Sequence, residues 1–536
     1  MAEKEYIVIL NPDVDFAQFN QEMIDTTGAG VIPSRRVDVA NPRPGSQRST
    51  HYSLTDEEAE ELKNDSRVTD VELRPQDRDD IEKVFFASQS GNFEKTTSDS
   101  GNAINWGIRR CMENTNPYGT SNINPGGDFT YNLDGTGVDV VIQDSGIQPD
   151  HPEFEDENGV SRVQEIDWYA ESGLSGTQHE LHYRDFEGHG THCAGIAASK
   201  TYGWAKNARI YSVKARGLEG PGDFGESYTY TSIDDADIFD VIKLWHRNKP
   251  IDPETGYKRP TIVNMSWGYN RAMGSHAEVE RIRYRGVEYN DDGHLGATID
   301  PLWQSSIEHM AETYGLILYG QANYAYHPTR IASVDADLEE LIAEGVHVCV
   351  ASGNSGFKSD VEGGIDYDNA ITGWGGLWPL TFEYHQGSSP YSDNAFMIGS
   401  IDSDTHSGGL EQKSDFSNCG PSITLWAPGS NIMSCTSTIN THDGGDYPGD
   451  PNYKICNISG TSMAAPQVCG LGATILELNP HLTPTQLKQK MVNLATNNAL
   501  YSTGNDDDYT NDRTLNDAPN KILYTPFNSS TPLSIG

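Results

Sequence analysis

The chain has 536 residues, with 37 Lys and Arg against 78 Asp and Glu, for a net charge of −41. A surface this acidic repels nucleic-acid phosphates and anionic membranes, so neither is expected as a partner. The length suffices for one large domain with a substantial core and a smaller one beside it.

The chain begins Met-Ala-Glu-Lys-Glu-Tyr-Ile-Val-Ile-Leu, a short apolar run next to acids that reads as neither signal peptide nor membrane span. Residues 5–10 read as a strand, 15–24 as a short amphipathic helix, 54–64 as a helix capped by Thr55, and 67–73 as a returning strand. Residues 1–74 are therefore expected to form a small α+β domain. The segment 75–105 is charged and rich in Ser, Gly and Asn, apart from Val84-Phe85-Phe86, and reads as a linker.

From Trp106 to residue 527, apolar strands alternate with helices, and residues 528–536 form a tail. The strands are Val138–Gln143, Arg209–Lys214, Thr261–Ser266, Val346–Ala351, Phe396–Ile401 and Ile423–Trp426, and helices are expected at 190–199, 234–247, 334–344, 461–478 and 484–496. Strands apolar on both faces and separated by helices predict a doubly wound, mostly parallel α/β sheet, with sites beyond its carboxyl ends. Segments 149–188 and 269–331 break the rhythm and read as insertions. Seven cysteines, with Cys193, Cys349 and Cys469 in apolar stretches and no CxxC pair, read mostly as buried thiols.

Four strand or helix ends carry candidate chemistry. Asp144 closes an apolar strand, although an acid there is commonly a turn former. His189 lies between Gly188 and Gly190 at the start of a small-residue helix, and glycines permit close backbone approach. His192 is one turn on, but no HExxH pattern supports a metal pair. Asn354 follows Ala351-Ser352-Gly353, where an amide can act as turn former or as donor to an oxyanion. Ser462 stands in the first turn of an almost wholly apolar helix, as a cap or as a nucleophile beside unpaired N–H groups. Together, Asp, His, Asn and Ser meet the needs of acyl transfer.

Asp144-Ser145-Gly146, His189-Gly190-Thr191-His192-Cys193-Ala194-Gly195 and Gly460-Thr461-Ser462-Met463-Ala464-Ala465-Pro466 resemble the three signatures of subtilisin-like serine proteases, in the same chain order. Asn264-Met265-Ser266-Trp267-Gly268, Phe416-Ser417-Asn418 and Ala427-Pro428-Gly429 resemble the proteinase K branch. The resemblance implies a serine endopeptidase acting on proteins or peptides. Ser462 would be its nucleophile, His189 its base and then acid, and Asp144 the orienting carboxylate. Asn354 and the Ser462 N–H would form the oxyanion hole. Ser266, Trp267 and Gly268 would face Ala351, Ser352 and Gly353 across the substrate pocket, with Gly220 and Gly222 on an edge strand that pairs with substrate.

Residues 1–74 resemble the family's inhibitory propeptide, which implies an intramolecular inhibitor and folding chaperone. Cutting is then expected in the linker, with a product beginning near Ala87 or Ser88. No cofactor is needed for the chemistry. Structural calcium is the one ion the resemblance brings in, and Thr424, where relatives commonly carry aspartate, puts one such site in doubt. Asp506-Asp507-Asp508 is a second candidate for calcium, although such runs are commonly solvated. The competing reading is a protease-fold structural or binding component of an assembly such as a viral particle, and in either reading the want of a signal peptide or membrane span implies synthesis in the cytoplasm. A lipase or esterase would want a second glycine after Ser462, where Ala464 stands.

Overall fold

The computed structural model of the chain describes residues 3–25, 35–78, 81–85, 105–116, 131–173, 175–178, 181–215, 235–272, 279–290, 314–315, 326–374, 379–406, 409–439, 442, 444–502 and 513–526. At the centre of the larger domain is a mostly parallel sheet. From one edge its strands run Thr496–Asn497, Lys521–Ile522, Leu425–Pro428, Phe396–Thr405, His347–Ala351, Thr261–Met265, Asp139–Asp144, Arg209–Lys214 and Val163–Gln164. The strand Asp139–Asp144 is buried along its whole length between two parallel neighbours.

Its alternating side chains divide two cores, as the pleat requires. Val140 and Ile142 pack with the helices His189–Ala198 and Thr461–Leu478 on one face. Val141 packs with the helices Asp235–Asn248 and Ala332–Ala343 on the other. This is the doubly wound α/β arrangement expected from the both-sides-apolar strands.

The strand expected at Ile423–Trp426 is instead Leu425–Pro428. A turn holds back its start, since the Ile423 N–H donates to the Gly420 carbonyl at 3.1 Å. Within 149–188, Val163–Gln164 supplies an edge strand, and Phe154, Ile166 and Trp168 are buried. Within 269–331, the strands Val279–Tyr284 and Val287–Asn290 join Ala370–Trp374 and Pro379–Glu383 in an antiparallel sheet.

The N-terminal unit is a four-stranded antiparallel sheet in the order Asp38–Asn41, Ser49–Leu54, Lys4–Leu10, Val68–Leu73, with the helices Phe16–Ile24 and Asp56–Leu62. It rests on the helices Asp235–Asn248 and Ala332–Ala343 of the larger domain. Ile7 and Ile9 pack on Ala336, and Glu72 accepts the Ser333 N–H at 2.9 Å. Arg43 is fully buried there, bonded to Asp240 and Asp337 at 2.9 Å each, with Asp237 at 3.4 Å.

The segment 75–105 contributes a strand, Ile81–Phe85. It pairs antiparallel with Trp267–Ala272, setting Phe85 opposite Trp267 and Ile81 opposite Arg271. All seven cysteines are buried free thiols. No helix among the described residues is long and apolar enough to cross a membrane.

Candidate active site

Asp144 ends the central strand and is fully buried, at the carboxyl edge of the sheet. Its Oδ1 accepts from His189 Nδ1 at 2.8 Å and from the Ser145 N–H at 2.7 Å. His189 opens its helix, and the following residue must be glycine because a Cβ at Gly190 would lie 2.1 Å from the Gly146 carbonyl oxygen. Burial alone would disfavour the charged imidazole. The Asp144 carboxylate and the adjacent Cys193 sulfur outweigh that and raise the His189 pKa well above 6.5.

The loop before His189 is tied by Asp185, which the sequence reading missed. One of its oxygens accepts from the Ser145 hydroxyl and the N–H groups of Glu187 and Gly188, and the other from the N–H and hydroxyl of Thr191. An acid just ahead of a helix start was the available signal. His192, by contrast, meets the Cys456 carbonyl at 3.1 Å, and burial lowers its pKa to about 3, so it is a neutral structural group.

Ser462 is the second residue of Thr461–Leu478 and fully buried. Pro466, four residues on, has no N–H to give to the Ser462 carbonyl. That oxygen accepts instead from Ser266 Oγ at 3.0 Å and Cys193 Sγ at 3.4 Å. Cys193 also lies 4.0 Å from His189 Nδ1, so one thiol touches both the imidazole and the serine backbone. The Ser462 hydroxyl donates to the Ser266 carbonyl at 3.0 Å.

Asn354 is divided in its bonding. Oδ1 accepts from the N–H of Thr461 at 2.9 Å and its hydroxyl at 2.8 Å. Nδ2 is buried and has no partner among the described residues. Beside it, Asn418 donates to the Ser352 carbonyl at 2.7 Å, and the Gly353 N–H donates to the Thr461 hydroxyl at 3.1 Å. Ala351 ends its strand, buried.

Ser266, Trp267 and Gly268 stand on the other side of Ser462. Trp267 is buried against Phe239 and Tyr269, while Trp267 and Gly268 pair with Phe85 and Val84. The structure thus gathers Asp144, His189, Ser462, Asn354, Ser266 and Ser352 at one edge of the sheet. Gly220, Gly222, Phe86, Ala87, Ser88 and residues 506–508 lie outside the described residues.

The corner where relatives commonly place a calcium-binding aspartate is built differently. Thr424 Oγ1 accepts the Met397 N–H at 3.1 Å. Lys488 Nζ donates to the carbonyls of Asp393 and Ala395 at 2.7 Å each. An ammonium group on those oxygens, with a hydroxyl in place of the carboxylate, does not fit a calcium ion.

Residues 135–516 match the Subtilase family, Peptidase_S8. The chain is 24% identical over 454 residues to "Subtilisin-like protease 3" of Saccharomyces cerevisiae, covering 82% of this chain and 65% of that protein. To "Cerevisin" of the same yeast it is 24% identical, covering 82% of this chain and 50% of that one. To "Cuticle-degrading protease" of Metarhizium anisopliae it is 27% identical, covering 70% and 63%. The chain thus spans less than two thirds of the length of these relatives. None of these matches favours the reading as a non-enzymatic component of an assembly. The signature motifs, the geometry that joins them and the match over most of its length place the chain in the subtilase family.

Proposed function

We propose that the protein is a serine endopeptidase that hydrolyses peptide bonds through an acyl-enzyme. In this reading Ser462 turns from the Ser266 carbonyl toward His189 and attacks the substrate carbonyl carbon as Nε2 takes its proton. Asp144, on Nδ1, holds the ring and stabilises its charged form. Asn354 Nδ2 and the Ser462 N–H donate to the oxyanion. On collapse the C–N bond breaks, His189 gives the proton to the leaving amine, and the acyl group stays on Ser462. Water, deprotonated by His189, then releases the acid and restores the serine.

The observation that carries this reading is the buried Asn354 donor, which has no partner among the described residues and sits where the helix of Ser462 begins. A buried N–H₂ without an acceptor costs free energy unless a ligand uses it.

We propose further that the first substrate is the chain's own linker, with the N-terminal unit as intramolecular inhibitor and chaperone. Strand Ile81–Phe85 lies along Trp267–Ala272, and Phe85 is opposite Trp267, one residue from Ser266. Ser266, the residue of that edge just before Trp267, accepts the Ser462 hydroxyl at 3.0 Å, which favours a cut one residue beyond Phe85, after Phe86. The test is intact-mass and N-terminal analysis of wild type and Ser462→Ala. Expected are a wild-type product beginning at Ala87 and a full-length variant. An uncut wild-type chain that is fully active on peptides would refute self-processing.

A further inference from the structure

The strand that begins with Trp267 of the expected pocket wall continues to Ala272. Five of its residues, Trp267 to Arg271, are paired with the chain's own strand Ile81–Phe85. Its opposite edge is held by the far end of the 269–331 insertion, with Asn270 opposite Pro328, Arg271 opposite His327 and Ala272 opposite Tyr326.

That backing is firm. The Tyr269 N–H donates to Ser388 Oγ at 2.7 Å, and its carbonyl accepts from the Thr329 N–H at 3.0 Å. His327 is buried between Phe357 and Phe382, and burial lowers its pKa to about 4, so it packs as a neutral ring. The Arg271 guanidinium lies over the Phe382 ring, 4.3 Å from its centre. Because Tyr269 turns its peptide groups toward this backing, alternation turns those of Gly268 and Asn270 toward the incoming strand.

From this ladder we infer that the protein reads an extended substrate of at least six residues on the acyl side of the scissile bond, gripping the third and fifth through the backbones of Gly268 and Asn270. The inference rests on the peptidase reading and deepens it. The residue at the cut lies beside Ser266, and the next five take the places that Phe85 to Ile81 hold in this structure. The added length comes from the insertion, since the strand Tyr326–Pro328 fixes the part of the edge beyond Tyr269. Such an edge selects unfolded or extended polypeptide over short peptides, because each added residue pairs with backbone already in strand conformation.

The test is a peptide series with one scissile Phe–Ala bond and two to six residues on its acyl side, assayed with the purified, self-cleaved protein. The expected result is that kcat/KM rises about tenfold or more between four and six residues, as one further pair of backbone hydrogen bonds forms. N-methylation of the fifth residue, which faces Asn270, should return the six-residue peptide to the four-residue value. N-methylation of the fourth, which faces away, should cost much less. A plateau at four residues, or equal losses from both methylations, overturns the inference while leaving the peptidase reading intact. Absence of turnover for every peptide overturns the peptidase reading itself, and the inference with it.

Discussion

The Asn354 side chain is fixed by Thr461, whose N–H and hydroxyl both donate to Oδ1, at 2.9 and 2.8 Å. The residue just before the proposed nucleophile therefore orients the proposed oxyanion donor. Asn354→Ala should lower kcat by about 10²–10³-fold with little change in KM, a magnitude taken over from the loss of one such donor in subtilisin. Asn354→Asp keeps an acceptor for Thr461 but loses the donor, so it should be no more active than the alanine variant. Steady-state kinetics of the two variants decide this, and an unchanged kcat in either removes Asn354 from the oxyanion hole.

The raised pKa of His189 makes a prediction about pH. A general base works as the neutral imidazole, so activity is lost as pH falls through its pKa. With burial opposing charge but Asp144 and the Cys193 sulfur prevailing, the acid limb of kcat/KM should lie above pH 6.5. Asp144→Asn removes the carboxylate and leaves burial less opposed, so the remaining activity should show its limb at lower pH. A limb that does not move on this substitution would mean that another group titrates.

The legible part of the site was its signature residues. Asp144, His189 and Ser462 lie in short motifs at the ends of apolar elements, and strand and helix periodicity placed those ends on one side of a sheet. Asp185 escaped because its contacts with Glu187, Gly188 and Thr191 look like an ordinary helix cap and only the one to Ser145 ties it to the site, and Asn418 because it reaches back 66 residues to Ser352. The strands Asp38–Asn41 and Ser49–Leu54 escaped because both are polar in composition, the first being a largely exposed edge strand and the second buried only through its neighbours in the sheet. Strand Ile81–Phe85 was read as linker because its partner, Trp267–Ala272, is nearly two hundred residues away.

Arg43 anchors the N-terminal unit through a fully buried guanidinium among Asp237, Asp240 and Asp337. Arg43→Met leaves those carboxylates short of a cation, and breaking such a buried network typically costs about 3–5 kcal/mol. Hydrogen exchange should therefore quicken across residues 3–25 and 35–78 while the core around Ser462 stays protected. Unchanged exchange in the N-terminal unit would show that its apolar contacts suffice.

Lys488 supplies a cation to the carbonyls of Asp393 and Ala395 even though burial lowers its pKa to about 8. Lys488→Met should lower the thermal midpoint by an amount equivalent to about 1 kcal/mol, since two charge-assisted hydrogen bonds, one exposed and one partly buried, are lost. Added calcium should not restore it, because Thr424 offers a hydroxyl in place of a carboxylate. Recovery with calcium in a thermal melt would show that the corner remains a calcium site.

The central claim is that Ser462 is a nucleophile activated by His189, and active-site labelling tests it most directly. A fluorophosphonate probe should form one covalent adduct per self-cleaved wild-type molecule, mapped by peptide mass spectrometry to Ser462. The adduct should be absent from Ser462→Ala and strongly reduced in His189→Ala, with both variants still folded. An adduct at another residue, or no adduct on protein freed of its N-terminal unit, would contradict the account.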